Sequence, residues 1–222
     1  QVKVDGVLAD GGEVHLYDRN TESREAISQE LAAARGAILV PSFDDFDIIA
    51  GQGTLGLEFA RQAASMGAPL DHLVCCAGGG GLITGVALAF EGLSGDTKFW
   101  AAEPEGHDDW ARSLAAGEVI ANAPGTRSFC DAILTPAPGE LTFPLGQRLL
   151  AGGLVVSDEE VRAAMRFAFR YLKIVAEPGG AAALAAVLRG VPEEMRGGRV
   201  GVVVTGGNVD AAVFAEVIRQ GE

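Results

Sequence analysis

Leu73-Val74-Cys75-Cys76-Ala77-Gly78-Gly79-Gly80-Gly81-Leu82-Ile83-Thr84-Gly85 decides how the rest of this chain is read. Leu73 to Ala77 has the apolar run of a short buried strand, and Val86, Leu88, Ala89 and Phe90 suit a helix that follows the glycines. Four consecutive glycines remove every Cβ from the turn, so the backbone can take positive φ and come close to a ligand. The amides of such a turn, joined to a helix N-terminus, form an anion site from N–H dipoles alone. A bare strand-to-helix turn is the competing reading, and one or two glycines would serve it. The stretch is not a Walker A loop, because no Lys-Ser/Thr pair follows. It also lacks the spaced glycines, and the acidic residue about 20 positions on, of a dinucleotide fold.

Moving outward, the pattern alternates strand and helix. The sequence predicts a weak helix over Val2–Ala9, a strand over Glu13–Tyr17, a helix over Ser23–Arg35 closed by Gly36, and a strand over Ala37–Val40. Asp44-Asp45-Phe46-Asp47 reads as a polar bend, and Thr54 as the cap of a helix from Leu55 to about Met66. After the glycine cup come its helix, a Gly92–Asp96 turn and a strand, Lys98–Ala102. The segment 121–138 is irregular and carries Pro124, Gly125, Pro136 and Pro138; such loops often line sites. A short helix over Thr142–Leu150 and a strand over Leu154–Val156 follow. Ser157-Asp158-Glu159-Glu160 is a capping box for a helix running to about Lys173. Ala181–Leu188 is a small-residue helix, Arg199–Val204 a buried strand, and Thr205-Gly206-Gly207-Asn208-Val209-Asp210 its C-terminal turn. Gly78, Glu103 and Thr205 thus stand at strand C-terminal ends, where ligands bind in open α/β sheets.

Composition narrows the function classes. The 222 residues are 48% hydrophobic, enough for a sizeable core. A formal charge of −13 argues against nucleic acid and anionic membrane as partners. No apolar run approaches the about 20 residues of a membrane span. Three cysteines, with Cys75 and Cys76 adjacent and Cys130 distant, read as buried thiols in a reducing cytosol. Glu103-Pro104-Glu105-Gly106-His107-Asp108-Asp109 sets five ionisable side chains in seven residues at a strand end. Acids there can hold a hard cation, but spacing alone favours a solvated acidic loop capping the helix Trp110–Ala116.

Taken together, Ile49-Ala50-Gly51-Gln52-Gly53-Thr54, the Gly78–Leu82 cup, Ala101-Ala102-Glu103-Pro104, Ala176-Glu177-Pro178-Gly179-Gly180-Ala181 and the 205–210 turn resemble the threonine and serine dehydratases, with serine racemase, among fold-type-II pyridoxal-phosphate enzymes. Their order and spacing also match. The resemblance implies an α/β architecture of open, twisted, mostly parallel sheets flanked by helices, in the two-domain, tryptophan synthase β-like form with its N-terminal portion missing. Residues 1–45 would be the remainder of the small domain and 46–222 the large cofactor-binding domain.

The resemblance also implies roles. Gly78, Gly79, Gly80, Gly81 and the amide of Leu82 would hold the phosphate of pyridoxal 5'-phosphate. Thr205 would face the pyridine nitrogen; a neutral hydroxyl there tempers the electron sink and suits β-elimination. Glu177 would lie near the ring. Glu103, Asp109 and the carbonyl of His107 match a divalent-cation site, for Mg2+ or another ion, found in part of the family. The implied reaction converts L-threonine or L-serine to a 2-oxo acid and ammonia, in a cytoplasmic homodimer. Serine racemization and hydroxyaspartate dehydration are alternatives, and a non-catalytic module that binds a phosphorylated small molecule is another.

Two departures stand out. The lysine that carries the cofactor in the family sits in a Ser-x-Lys-x-Arg-Gly-Ala-type motif upstream of the matched region, and neither it nor the Ser-x-Gly-Asn-His-Gly-type substrate loop occurs here. The lysines present, Lys3, Lys98 and Lys173, are each in the wrong context. With Gln1-Val2-Lys3-Val4 at its start, the chain is expected to lack an upstream part, and no regulatory module is expected after Asn208. Ala132 stands where relatives more often have glycine, and its methyl is expected to narrow the pocket.

Overall fold

The computed structural model describes residues 2–18, 21–93 and 95–220. Gln1, Ser94 within the Gly92–Asp96 turn, and the chain end at Glu222 lie outside the described residues. Two compact units divide the chain, Gln1–Ser42 and Phe43–Glu222. The first holds α1 (Val2–Ala9) and α2 (Arg24–Arg35). Ser23 caps α2 by accepting from the Ala26 amide, and Gly36 ends it at φ 60°. The strands expected over Glu13–Tyr17 and Ala37–Val40 do not form: both segments lack regular structure and pair with no strand among the described residues. Their alternation reads as strand, yet Leu16 is 77% and Ile38 92% exposed, so no ladder or burial rewards it.

The second unit is built on one stretch that is apolar on both faces. β1 (His72–Cys76) is buried along its whole length. It pairs in parallel with β2 (Lys98–Pro104), with Cys76 opposite Ala102, and with β4 (Val200–Val202). β3 (Leu150–Val156) adds to the far side of β2, giving the order β3-β2-β1-β4, all parallel. Alternate side chains leave to opposite faces. Val74, Cys76, Trp100 and Ala102 pack under α7 (Asp158–Phe167), α8 (Pro178–Leu188) and α9 (Ala211–Arg219). Leu73, Cys75, Phe99 and Ala101 pack under α3 (Phe46–Ser65), α4 (Gly81–Glu91), α5 (Asp109–Ala116) and α6 (Thr142–Leu149). Helices on both faces explain why the strand reads as a continuous apolar run. Among the described residues no helix is long and apolar enough to cross a membrane.

Several boundaries differ from the sequence expectation. α3 begins at Phe46, not Leu55, because the Asp45 carboxylate accepts from the amides of Asp47 (2.9 Å) and Ile48 (3.1 Å). Thr54 lies mid-helix and its hydroxyl donates back to the Gly51 carbonyl at 2.7 Å. α7 does form the capping box at Ser157 and Glu160, but it stops at Phe167. One turn of π-helix, Ala168–Leu172, then ends on Lys173 at φ 60°. α8 begins at Pro178, not Ala181, with Gly179 and Gly180 in its first turn.

Glycine sets the approach of α3 to α4. A Cβ on Gly56 would stand 2.6 Å from the Val86 carbonyl oxygen, and one on Gly85 would overlap the Ile49 carbonyl oxygen. In an isolated helix, alanine would be favoured over glycine by about 1 kcal/mol. Here Gly85→Ala is expected to destabilise the fold by about 1–3 kcal/mol, read from urea unfolding, because backbone must move to admit one methyl.

Candidate active site

The cup follows β1 directly. The carbonyl of Gly78 accepts from the indole Nε1–H of Trp110 at 2.7 Å. The carbonyl of Gly79 accepts from the Thr142 hydroxyl at 2.6 Å and the Gly139 amide at 3.3 Å. The carbonyl of Gly80 accepts from the Thr84 amide at 3.0 Å, within α4. Each peptide is trans and planar, so the N–H of the next residue points away from its predecessor's carbonyl. The amides of Gly79, Gly80 and Gly81 are thereby turned off the protein donors behind them. Among the described residues they and Leu82 donate to no protein acceptor, although Gly79 to Gly81 are buried. A row of unpartnered buried donors at a helix N-terminus is complementary to an anion.

The missing Cβ atoms have a second physical reason. A Cβ on Gly79 would overlap the Phe43 ring; one on Gly80, at φ 97°, would overlap the Trp110 ring and lie 3.0 Å from Thr142 Cβ. The side-chain-free turn lets the protein close around its carbonyl side and leaves the amide side for a ligand.

The other expected residues reach the cup through one hydrophobe. Ile133, in the 3-10 turn Asp131–Ile133, stands 3.2 Å from a Cβ on Gly78 and 3.4 Å from one on Gly179. Gly179 opens α8 beside Glu177. The Glu177 amide donates to the Gly206 carbonyl (3.0 Å) and the Thr205 amide to the Gly180 carbonyl (3.3 Å). Gly206, at φ 75°, leaves the space that the Glu177 carboxyl fills. The cup, Glu177 and Thr205 therefore share one end of the sheet. Ala132 lies on the same turn, 3.3 Å from a Cβ on Gly179. Cys130 is fully buried, and burial pushes its thiol up to about 12, so it stays protonated and serves packing.

Glu103 and Asp109 form a second polar centre behind the cup. Glu103 is fully buried on β2, and its two oxygens accept from the amides of Trp110 and Ala111, each at 2.8 Å. It caps the helix that carries Trp110, as a carboxylate at a helix N-terminus should. Asp109 Oδ1 accepts from Asn122 at 2.6 Å, while its buried Oδ2 makes no hydrogen bond. Burial first, and the Asp109 charge second, raise Glu103 from 4.5 to about 8. Burial raises Asp109 from 3.8 to about 6. Among the described residues no three acidic, His or Cys side chains cluster as metal ligands, so a cation here would use two carboxylates and the His107 carbonyl.

Phe43, Asp44, Trp110, Asn122 and Thr142 carry this geometry and have no role in the sequence reading. They share no local motif; the one signal is Asp44, an aspartate in a bend, a residue type that tolerates the left-handed region.

The fold is that of the fold-type-II pyridoxal-phosphate enzymes: a parallel sheet flanked by helices, here with a glycine turn at its carboxyl end. The chain belongs to the family described as pyridoxal-phosphate dependent enzyme, whose model matches residues 1–206. It is 40% identical over 210 residues to the L-threo-3-hydroxyaspartate ammonia-lyase of Pseudomonas sp, covering 94% of this chain and 64% of that protein. Maize serine racemase superposes with a TM-score of 0.86 at 33% identity, covering 99% of this chain and 66% of that one. A threonine deaminase from T.th. gives 0.85 at 38% identity, covering 95% and 68%. The chain thus spans about two thirds of the length of these relatives.

Both buried acids ionise less readily folded than unfolded, so the folded state holds more protons. Their contribution to stability is full below their unfolded values and is lost as pH rises through about 6 and then about 8. Without divalent cation the melting temperature is expected to fall between about pH 4 and pH 8, and Glu103→Gln to flatten the upper part of that slope.

Proposed function

We propose that this chain supplies the cofactor-binding part of a pyridoxal-phosphate-dependent ammonia-lyase that removes the β-hydroxyl and amino groups of L-threonine or L-serine, releasing a 2-oxo acid and ammonia. The observation that carries the reading is the row of unpartnered amides from Gly79 to Leu82, set beside Glu177 and Thr205 in a chain of this family. When bound, pyridoxal phosphate supplies the electron sink for loss of the α-proton and the β-substituent. The chain's own contribution is binding and electrostatics. Gly78 to Leu82 hold the phosphate by N–H donation. The Thr205 hydroxyl meets the pyridine nitrogen as a neutral partner, and Glu177 flanks the ring. Residues 1–45 belong to the smaller domain and 46–222 to the larger one.

Glu103, Asp109 and the His107 carbonyl take a divalent cation such as Mg2+. Two buried carboxylates with raised pKa values, one with an orphaned oxygen, favour a hard cation. A cation held there would neutralise Asp109 and Glu103, and Glu103 caps the helix that carries Trp110 behind the cup. The reading extends to a cytoplasmic homodimer acting on a small amino acid; three free thiols favour a reducing compartment.

The lysine that holds the cofactor is none of those in this sequence. Lys98 starts β2 opposite His72, at the amino end of the sheet, roughly 15–20 Å of strand from the cup. Lys173 is exposed at the end of the π-helical turn. A second substrate, 3-hydroxyaspartate, is favoured by the activity that the 40% identical relative is named for.

Borohydride reduction of the full-length protein, followed by peptide mapping, is expected to fix the cofactor to a lysine other than Lys98 or Lys173; label on either would overturn the assignment. Threonine or serine should yield 2-oxobutanoate or pyruvate. Oxo acid from 3-hydroxyaspartate alone would keep the reaction and change the substrate, and D-serine without oxo acid would mark a racemase.

A further inference from the structure

Asp44 takes part in no binding role assigned above, yet it occupies a conformation that needs a reason. Its φ of 58° lies in the left-handed region that few non-glycine residues adopt. There its carboxylate accepts from three consecutive amides nearly a hundred residues along: Glu140 at 2.9 Å, Leu141 at 2.8 Å and Thr142 at 3.1 Å. These are amides at the start of α6, where a helix leaves its donors without intrahelical partners. The N-cap residue itself is Leu141, whose side chain cannot accept. Asp44 is thus the cap of α6, supplied from another part of the chain. Gly139 is side-chain-free beside it, because a Cβ there would overlap the Asp44 carboxylate.

The first residue of that capped helix is Thr142. Its hydroxyl donates to the Gly79 carbonyl at 2.6 Å and accepts from the Gly139 amide at 3.0 Å. The Gly79–Gly80 peptide is a rigid plane, so holding its carbonyl also sets the direction of the Gly80 N–H. A glycine pair can otherwise turn that plane at low cost. The neighbours of Asp44 secure the same region. The Phe43 ring occupies the Cβ side of Gly79, and its Cβ lies 3.1 Å from a Cβ on Gly81. Asp45 caps α3. Three successive residues therefore tie α3, the glycine cup and α6 together.

We propose that Asp44 is a positioning residue for phosphate binding. By capping α6 it fixes Thr142, Thr142 fixes the Gly79 carbonyl, and the Gly80 amide is held toward the ligand before the ligand arrives. The proposal rests on the reading of the Gly78–Leu82 turn as the cofactor's phosphate site. It assigns Asp44 no contact with cofactor or substrate.

The test compares two probes on full-length protein: pyridoxal 5'-phosphate and pyridoxal, which lacks the phosphate. Dissociation constants are measured for the wild type, Asp44→Ala, Asp44→Asn, Thr142→Val and Thr142→Ser, with the 31P resonance of the bound phosphate as a second readout. Asp44→Ala and Thr142→Val are expected to weaken pyridoxal phosphate by about tenfold or more, since charge-assisted N–H bonds to an anion are lost or misaimed, and to move the 31P signal. Pyridoxal affinity should stay within about twofold of wild type, since only the phosphate senses the amides. Thr142→Ser should recover wild-type affinity, and Asp44→Asn, which keeps one acceptor oxygen, should fall between. If Asp44→Ala fails to fold, Thr142→Val, a hydroxyl exchanged for a methyl, carries the same test. Unchanged selectivity for the phosphate in Thr142→Val and in a folded Asp44→Ala, or equal loss of both probes, overturns the positioning role. A wild type that binds pyridoxal as tightly as its phosphate overturns the phosphate cup itself, and with it the inference.

Discussion

The indole of Trp110 donating to the Gly78 carbonyl is the contact on which the rest of the site depends. Trp110 is fully buried, and two glycines far apart in sequence, Gly80 and Gly146, lack side chains because its ring stands where their Cβ atoms would be. The bond sets the first peptide plane of the cup and therefore the direction of the Gly79 amide. It also joins the cup to the acidic centre, because Glu103 caps the helix that presents the indole. A change at Glu103 can reach the amides through α5 and this ring.

Seen from the ligand side, the cup is a set of donors without protein acceptors. Seen from behind, its carbonyls are held: Trp110, Thr142, Gly139 and Thr84 take up the three carbonyls of Gly78, Gly79 and Gly80. The two faces are one arrangement. A peptide whose carbonyl is held cannot turn its amide inward to find a partner, so the donors remain available and already aimed. Preorganised dipoles of this kind bind an anion without first reorganising.

Much of this is legible along the chain alone. The continuous apolar run of β1, the glycine turn, the capping box at Ser157 and the buried cysteines are local patterns, and each has its expected structure. The failures are equally physical. Glu13–Tyr17 and Ala37–Val40 alternate like strands, but a strand exists only with a partner, and none pairs with them among the described residues. α3 starts nine residues before its expected position because Thr54 and Asp45 are both good cap types, and only the actual bonds distinguish them. The four glycines read as room for a ligand. They are as much room for Phe43 and Trp110, which no count of glycines could reveal.

The sequence by itself determined the family, the parallel sheet and the glycine turn at its carboxyl end, because strand period, glycine runs and motif order are properties of neighbours along the chain. The tertiary structure decided which residues aim that turn. Asp44 caps a helix nearly a hundred positions away, Thr142 holds a carbonyl 63 positions back and Trp110 one 32 back. Such pairings are long-range hydrogen bonds between unremarkable residue types. They leave no periodicity to read, and they exist only once the sheet has brought its loops to one end.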